Sequence, residues 1–185
     1  PRGTNLVAMG AGEPFLNLDS LMKALRVMAD KDGLFIVPNR VTVSTAGVVP
    51  KILELAQVSD RRHLAISLAA PTDELRDELM PINKKWPIEE LLKACKEFEK
   101  TLRTAERFTF EYVMLAGVND SDEQARQLAN LLNRHGLSAK VNLIPHNPAD
   151  PLPYQPSSDE RVGQFKSILE SKGIHSYVRR PRGRD

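Results

Sequence analysis

The feature that most constrains this chain is an alternation repeated about six times. Short runs rich in β-branched and apolar residues lie at 5–9, 41–45, 63–68, 108–115, 140–144 and 175–179. Between them lie longer segments with helical spacing. Strands this far apart in sequence cannot be joined as tight hairpins; a parallel pair needs a crossover, and a helix supplies one. Strand-length runs apolar on both faces are expected as buried parallel strands. The intervening stripes share helical faces, three of them at i, i+3, i+4 or i+7 spacing from Ile88, Ala125 and Val162. They are Leu21, Leu25 and Met28; Ile52, Leu53 and Ala56; Ile88, Leu91, Leu92, Cys95 and Phe98; Ala125, Leu128, Ala129 and Leu132; and Val162, Phe165 and Leu169. Ser121 with Gln124, and Ser157 with Glu160, have capping-box spacing. Gly136 and Gly173 stand where helices would end on a positive φ, and Pro87 fits a first helical turn.

Composition narrows the class. At 185 residues the chain is the size of one ordinary domain. With 41% hydrophobic and 27% charged residues it can pack a core. Twenty-six Lys and Arg against 24 Asp and Glu leave +2, which names no partner. A pI near 8.8 falls short of the footprint of a dedicated nucleic-acid module. One cysteine excludes an internal disulfide framework and a cysteine-built metal site within this chain. No apolar run approaches the ~20 residues of a membrane span, no signal peptide opens the chain, and the expected compartment is the cytoplasm. The chain starts at Pro1 without an initiator Met and stops at Asp185, and neither end has the look of a natural terminus.

In parallel α/β folds, ligands sit beyond the carboxyl ends of the strands. The six exits read Gly10-Ala11-Gly12-Glu13-Pro14, Ser44-Thr45-Ala46-Gly47, Ser67-Leu68-Ala69-Ala70-Pro71, Ala116-Gly117-Val118-Asn119-Asp120, Pro145-His146-Asn147-Pro148 and Arg180-Pro181-Arg182-Gly183-Arg184. Turns favour such residues in any case, but six polar exits on one expected face point to a site for a small polar molecule. The Pro-rich stretch 145–156 is expected as a functional loop within one domain. Cys95, on an apolar stripe, is expected as a buried small hydrophobe. His146 is a ligand-contact candidate, whereas His63, His135 and His175 sit at element edges, and no two histidines have metal-ligand spacing. Trp86 is expected as a packing anchor. Lys84 and Lys85 in a loop, and Arg179, Arg180, Arg182 and Arg184 near the end, are candidates for phosphate contact.

Taken together, the exits resemble a known family. Met9-Gly10-Ala11-Gly12-Glu13-Pro14, followed by Asn17-Leu18-Asp19, resembles the Gly-Glu-Pro motif of radical S-adenosylmethionine (SAM) enzymes. The runs 40–50, 65–71, 81–85, 111–115 and 142–148 are similar, in order, to one subgroup: the dual-specificity ribosomal and transfer RNA adenine-C2 methyltransferases (RlmN type), related to the adenine-C8 resistance methyltransferases. The likeness spans essentially the whole chain. It implies an α/β fold, a partial, truncated (β/α)6 TIM-like barrel of the radical SAM type, as one core over residues 1–185. It implies SAM as cofactor: Gly12 and Glu13 would meet the amino group of its methionine moiety. Ser44, Ser67 and the Leu68–Ala69 backbone would hold polar groups, and Asn147 would face the adenosine. Three positions depart from the subgroup: Ala69 replaces a His, Ala11 a Met and Ala46 a Ser.

The likeness also implies a [4Fe–4S] cluster, held in the family by a Cys-x3-Cys-x2-Cys motif before the Gly-Glu-Pro strand. A methyl-carrying cysteine after the Arg-Gly segment and a resolving cysteine upstream complete the family's sulfur chemistry. None is in this chain, and Cys95 matches none of them. The expectation is therefore the barrel core of such a methyltransferase, without its N-terminal domain, inactive alone and prone to self-associate through uncovered sheet edges. Its parent would act on ribosomal and transfer RNA, away from membranes. The alternatives are a SAM- or RNA-binding module without catalysis, an adenine-C8 relative, or an unrelated barrel enzyme using Glu13 and His146 as acid and base.

Overall fold

The computed structural model describes residues 4–58, 62–103, 106–148 and 153–179. Among these residues six strands form one sheet: β1 (Leu6–Ala8), β2 (Val41–Thr45), β3 (His63–Ser67), β4 (Thr109–Met114), β5 (Lys140–Pro145) and β6 (His175–Val178). Every neighbouring pair is parallel, and the spatial order is the sequence order. Six helices cross between them: α1 (Leu18–Met28), α2 (Val49–Ala56), α3 (Asp73–Leu79), α4 (Ile88–Glu99), α5 (Asp122–Arg134) and α6 (Asp159–Ser171). In a sheet wound in one direction, crossovers of the same hand put every helix on the same face. That topology belongs to barrels, not to doubly wound sheets, whose strand order reverses midway.

The curvature is visible in one contact. Five strand spacings of ~4.8 Å would part β1 and β6 by about 24 Å in a flat sheet. Yet the Arg179 guanidinium, just after β6, lies 3.3 Å from the Met9 sulfur, just after β1. The sheet therefore curls until its first and last exits meet across an arginine side chain, as an open barrel does.

The sequence expectation of strands apolar on both faces is corrected. Register puts Val41, Val43, Leu64, Ile66, Phe110, Tyr112, Val141 and Leu143 on one face, all buried. These residues join the helical stripes in one core. The opposite, concave face carries Thr42, Ser44, Ser67, Thr109, Glu111, Lys140, Asn142 and Tyr177. The alternation escaped notice because Ala65 and Val113 interrupt it.

Most helix expectations hold. The stripes of α4, α5 and α6 are buried as read. In α2 the buried partner of Ile52 is Leu55, while Leu53 is 39% exposed. Helix α5 has a full capping box between Ser121 and Gln124. The α6 cap is Ser158, which accepts from Arg161 N; Ser157 instead donates to Asp120 Oδ2 at 2.7 Å. Pro87 is the cap of α4 and precedes its first turn. Helix α3 was not read from the sequence, because its charged run Asp73–Leu79 shows no apolar stripe.

Candidate functional site

The strand exits gather at one end of the barrel, held by side chains reaching between exits. Glu13 caps the short 3-10 turn Pro14–Asn17: its Oε1 accepts from Phe15 N at 2.9 Å. Its Oε2 accepts from Ala46 N at 2.6 Å, tying the β1 exit to the β2 exit. Ser44 Oγ donates to the Ala8 carbonyl at 2.8 Å, a second tie between the same strands. Gly12 takes φ +88°, a conformation costly for a residue with a Cβ. The loop from Ala8 to Pro14 lines an open cleft of about 470 Å3.

The central support is Arg76 of α3, completely buried. Its Nε donates to Leu68 O at 3.0 Å, Nη1 to Asn83 Oδ1 at 2.7 Å, and Nη2 to Ala46 O at 2.7 Å and Ser67 O at 3.0 Å. One guanidinium thus pins the β2 and β3 exits together. Asn83 is held by Asp73 and Asp77. Burial pulls the Arg76 guanidinium down to about 10, with Asp73 opposing the shift. Gly47 is needed beside it: φ is +112°, and a Cβ there would lie 3.2 Å from Arg76 Nη2.

A second hub sits at β4. Buried Asn119 donates from Nδ2 to Ala69 O at 2.8 Å and to Val113 O at 2.7 Å, and accepts from Leu115 N. Tyr112 Oη donates to Asn119 O at 2.7 Å, and burial raises the phenol above its ordinary range. Ala69 is held at φ +61°, a strained conformation at a strand exit. The polar exit Asn119-Asp120 is thus internal scaffolding, not a free fringe for a ligand.

The candidate residues divide accordingly. Gly12, Glu13, Ser44, Ser67, Leu68 and Ala69 are brought to adjoining exits. Both Glu13 oxygens accept a backbone N–H group, and each keeps a further lone pair, so the carboxylate and the loop carbonyls both remain acceptors for an ammonium. The Leu68 backbone is committed too: its N–H donates to Glu111 O, and its carbonyl accepts from Ala70 N and Arg76 Nε. Asn147 is exposed beyond β5. His146 is half-buried with its ring edge-on to Tyr154, 6.5 Å between centroids. Lys84 and Lys85 are exposed beside Asn83 at the same end, and Lys85 Nζ lies 4.5 Å from the Trp86 ring centroid. Trp86 packs against the core as expected. Arg180, Arg182 and Arg184 lie outside the described residues.

Two residues of the site were missed in the sequence. Glu111 and Asn142 face the concave side in the same layer as Ser67. Asn142 Nδ2 donates to Glu111 Oε1 at 3.0 Å. Glu111 is only 6% exposed, and burial raises its carboxyl above the ordinary range, opposed by Asn142 and by Arg179. A Glu in an otherwise apolar run, Phe108–Leu115, was the available signal.

A singly wound parallel barrel with a Gly-Glu-Pro exit and a polar inner face defines a class of cofactor-binding barrel enzymes. The description of the radical SAM superfamily matches residues 1–129, and the chain belongs to that superfamily. The chain is 51% identical over 181 residues to a Koribacter versatilis protein named "Probable dual-specificity RNA methyltransferase RlmN", covering 98% of this chain and 51% of that protein. It is 52% identical over 182 residues to "Dual-specificity RNA methyltransferase RlmN" of Methylobacterium radiotolerans, covering 98% and 42%. Among solved structures, a radical SAM methyltransferase from Sphaerobacter thermophilus superposes with TM-score 0.92 at 46% identity, over 97% of this chain and 52% of that one. A domain of a pyruvate-formate lyase-activating enzyme from Bacteroides vulgatus shares the fold, with TM-score 0.69 at 18% identity, over 96% of this chain and all of that one. The chain spans about half the length of the curated relatives it matches.

The superfamily implies SAM and a [4Fe–4S] cluster. The exits fit SAM: they offer backbone carbonyls, small hydroxyls and glycine-lined access. The cluster does not fit these residues. Cys95 is the chain's one cysteine; it is fully buried on α4, and burial pushes its thiol well above the ordinary range. No group of three or more potential metal-ligating side chains occurs among the described residues. No helix among them is long and apolar enough to cross a membrane.

Proposed function

We propose that these 185 residues are the SAM-holding barrel core of an enzyme that methylates C2 of adenine in ribosomal and transfer RNA. The observation that carries this is the identity of about half of all residues, over 98% of the chain, to proteins named as dual-specificity RNA methyltransferases. SAM, when bound, supplies the methyl carbon, and radical chemistry is required because adenine C2 is not nucleophilic.

The chain's own part is binding and orientation. The carbonyls around Gly12 and the remaining lone pairs of Glu13 accept from the ammonium of the methionine moiety, while the same carboxylate holds that loop against Ala46. Ser44 spends its proton on Ala8 O and keeps its lone pairs as acceptors. Ser67 and the turn at Leu68 and Ala69 form the adjoining wall, with the turn's shape fixed by Arg76 and Asn119. Asn147 faces the adenosine. Lys84, Lys85, Arg179, Arg180, Arg182 and Arg184 meet RNA phosphates, which bind basic side chains by charge. The cluster cysteines come from outside these 185 residues. The compartment that fits such RNA substrates is the cytoplasm.

The test is anaerobic assay of a protein containing this chain and an upstream cluster motif, with methyl-labelled SAM and each RNA. Nucleoside mass spectrometry is expected to find 2-methyladenosine in both RNAs. 8-Methyladenosine would favour the C8 relative, and no methylated adenine at all would overturn the proposal. The 185-residue chain alone is expected to bind no cluster and to methylate nothing.

A further inference from the structure

One buried polar atom on the inner face has no use in the fold. Glu111 lies in the middle of β4, on the concave side of the sheet. One carboxylate oxygen, Oε1, accepts from Asn142 Nδ2 at 3.0 Å. The other, Oε2, is buried without a hydrogen-bond partner among the described residues. An acceptor left bare inside a protein costs free energy, and native folds rarely tolerate one without a reason. The side chain is 94% buried by its 6% exposure, and burial disfavours its charged form. A glutamine of the same shape would avoid that cost.

The surroundings say what the bare oxygen faces. Register places Glu111 level with Ser67 on one side and Asn142 on the other, one layer nearer the exits than Ser44. Arg179, at the β6 exit, is the nearby cation and reaches over to Met9. A ligand touching both Ser44 and Ser67 has to cross this layer. If its amino-acid end lies at the β1 exit, its other end falls over β3 to β5. Three strand spacings of ~4.8 Å separate β1 from β4, about 14 Å along the sheet. The nucleoside half of SAM then lies against Glu111, and an ionised carboxylate, which can only accept, matches the two donors of a ribose diol.

We propose that Glu111 is a SAM-binding residue whose free oxygen accepts from the ribose hydroxyls, with Asn142 fixing its orientation. This rests on the proposal that the exits hold SAM. The two fail differently in one experiment. SAM, 5′-methylthioadenosine and its 2′,3′-dideoxy analogue are titrated calorimetrically into the wild-type protein and into Glu111→Gln and Glu111→Asp, with thermal unfolding of each in parallel.

The expected result is a loss of at least about tenfold in affinity for SAM and for 5′-methylthioadenosine in Glu111→Gln, the size of one hydrogen bond to a charged acceptor. The dideoxy analogue should bind wild type and Glu111→Gln alike. The melting temperature of Glu111→Gln should stay level or rise, because a desolvated carboxylate has been removed. Glu111→Asp, one methylene shorter, should lose affinity while keeping its charge. Affinity unchanged within about twofold would overturn the assignment while leaving SAM binding intact. An equal loss with the dideoxy analogue would overturn the ribose contact. A lowered melting temperature with unchanged affinity would make Glu111 structural. Wild-type protein that binds neither SAM nor 5′-methylthioadenosine would overturn the underlying proposal and this one with it.

Discussion

Replacing Arg76 by Met keeps much of the side-chain volume and removes every donor. Four hydrogen bonds are lost, to Leu68 O, Asn83 Oδ1, Ala46 O and Ser67 O. Bonds from a charged donor contribute about 1.5–3 kcal/mol each, less where two share one nitrogen, as on Nη2. Against them stands the cost of burying the guanidinium. Its fall from 12.5 to about 10 corresponds to a cost of about 3 kcal/mol, at ~1.4 kcal/mol per tenfold. The balance is a loss of at least about 3 kcal/mol, in line with the ~3–5 kcal/mol seen when one member of a buried charged network is removed. A chain of this size has only about 5–15 kcal/mol to lose. Arg76→Lys keeps the charge but not the fork that reaches three exit carbonyls, so it should recover less than half of the loss. Urea unfolding of the wild type and both variants at constant m gives the numbers. A loss below about 1 kcal/mol in Arg76→Met would refute the idea that one side chain holds the β2 and β3 exits in place.

Other consequences follow from the same packing. Cys95 should ignore a thiol reagent such as DTNB in the folded protein and react only as the chain unfolds; stoichiometric reaction under native conditions would contradict its burial. The raised Cys95 thiol and Tyr112 phenol also fix a pH dependence. Below pH about 7.5 both groups stay protonated whether the chain is folded or not, since an unfolded thiol ionises near pH 8.5–9 and an unfolded phenol near 10. Above that, the unfolded chain loses protons the folded one retains, so stability should fall with rising pH, by up to ~1.4 kcal/mol per pH unit per group. Unfolding midpoints rising between pH 9 and 10.5 would refute this. Among the described residues, strands β1 and β6 each pair on one side only, so light scattering should find the chain self-associating as concentration rises. A monomer at every concentration would contradict that.

Much of the architecture was legible because strand and helix periods differ so clearly. The six strands lie within two residues of their expected ends, and the stripes of α4, α5 and α6 were correctly assigned to the core. Where the sequence misled, the cause is specific. Leu53 and Leu55 both suit a short helix beside Ile52, and burial falls on Leu55 while Leu53 stays 39% exposed. Ser157 and Ser158 can each cap α6, and the choice falls on Ser158 because Ser157 is held by Asp120. The site was legible as a set of exits, but the work of each residue was not. Arg76 looked like one more charge in Asp73–Leu79, and Asn119 looked like a ligand-facing loop residue. Both spend polar groups on backbone carbonyls 6 to 50 residues away, contacts no local pattern reports. Glu111 was hidden in an apolar run, since only the register with Ser67 and Asn142 shows that it faces inward.

SAM is proposed to bind at the carboxyl ends of these strands, across the concave face. Backbone amide NMR of the 15N-labelled chain titrated with SAM tests it most directly. Shifts should saturate together at Gly12, Glu13, Ser44, Ser67, Ala69, Glu111 and Asn147, with Val41, Leu64 and Lys140 at the strand starts unmoved. Shifts confined to the strand starts or the outer helix faces, or no saturable shift at any SAM concentration, would contradict it.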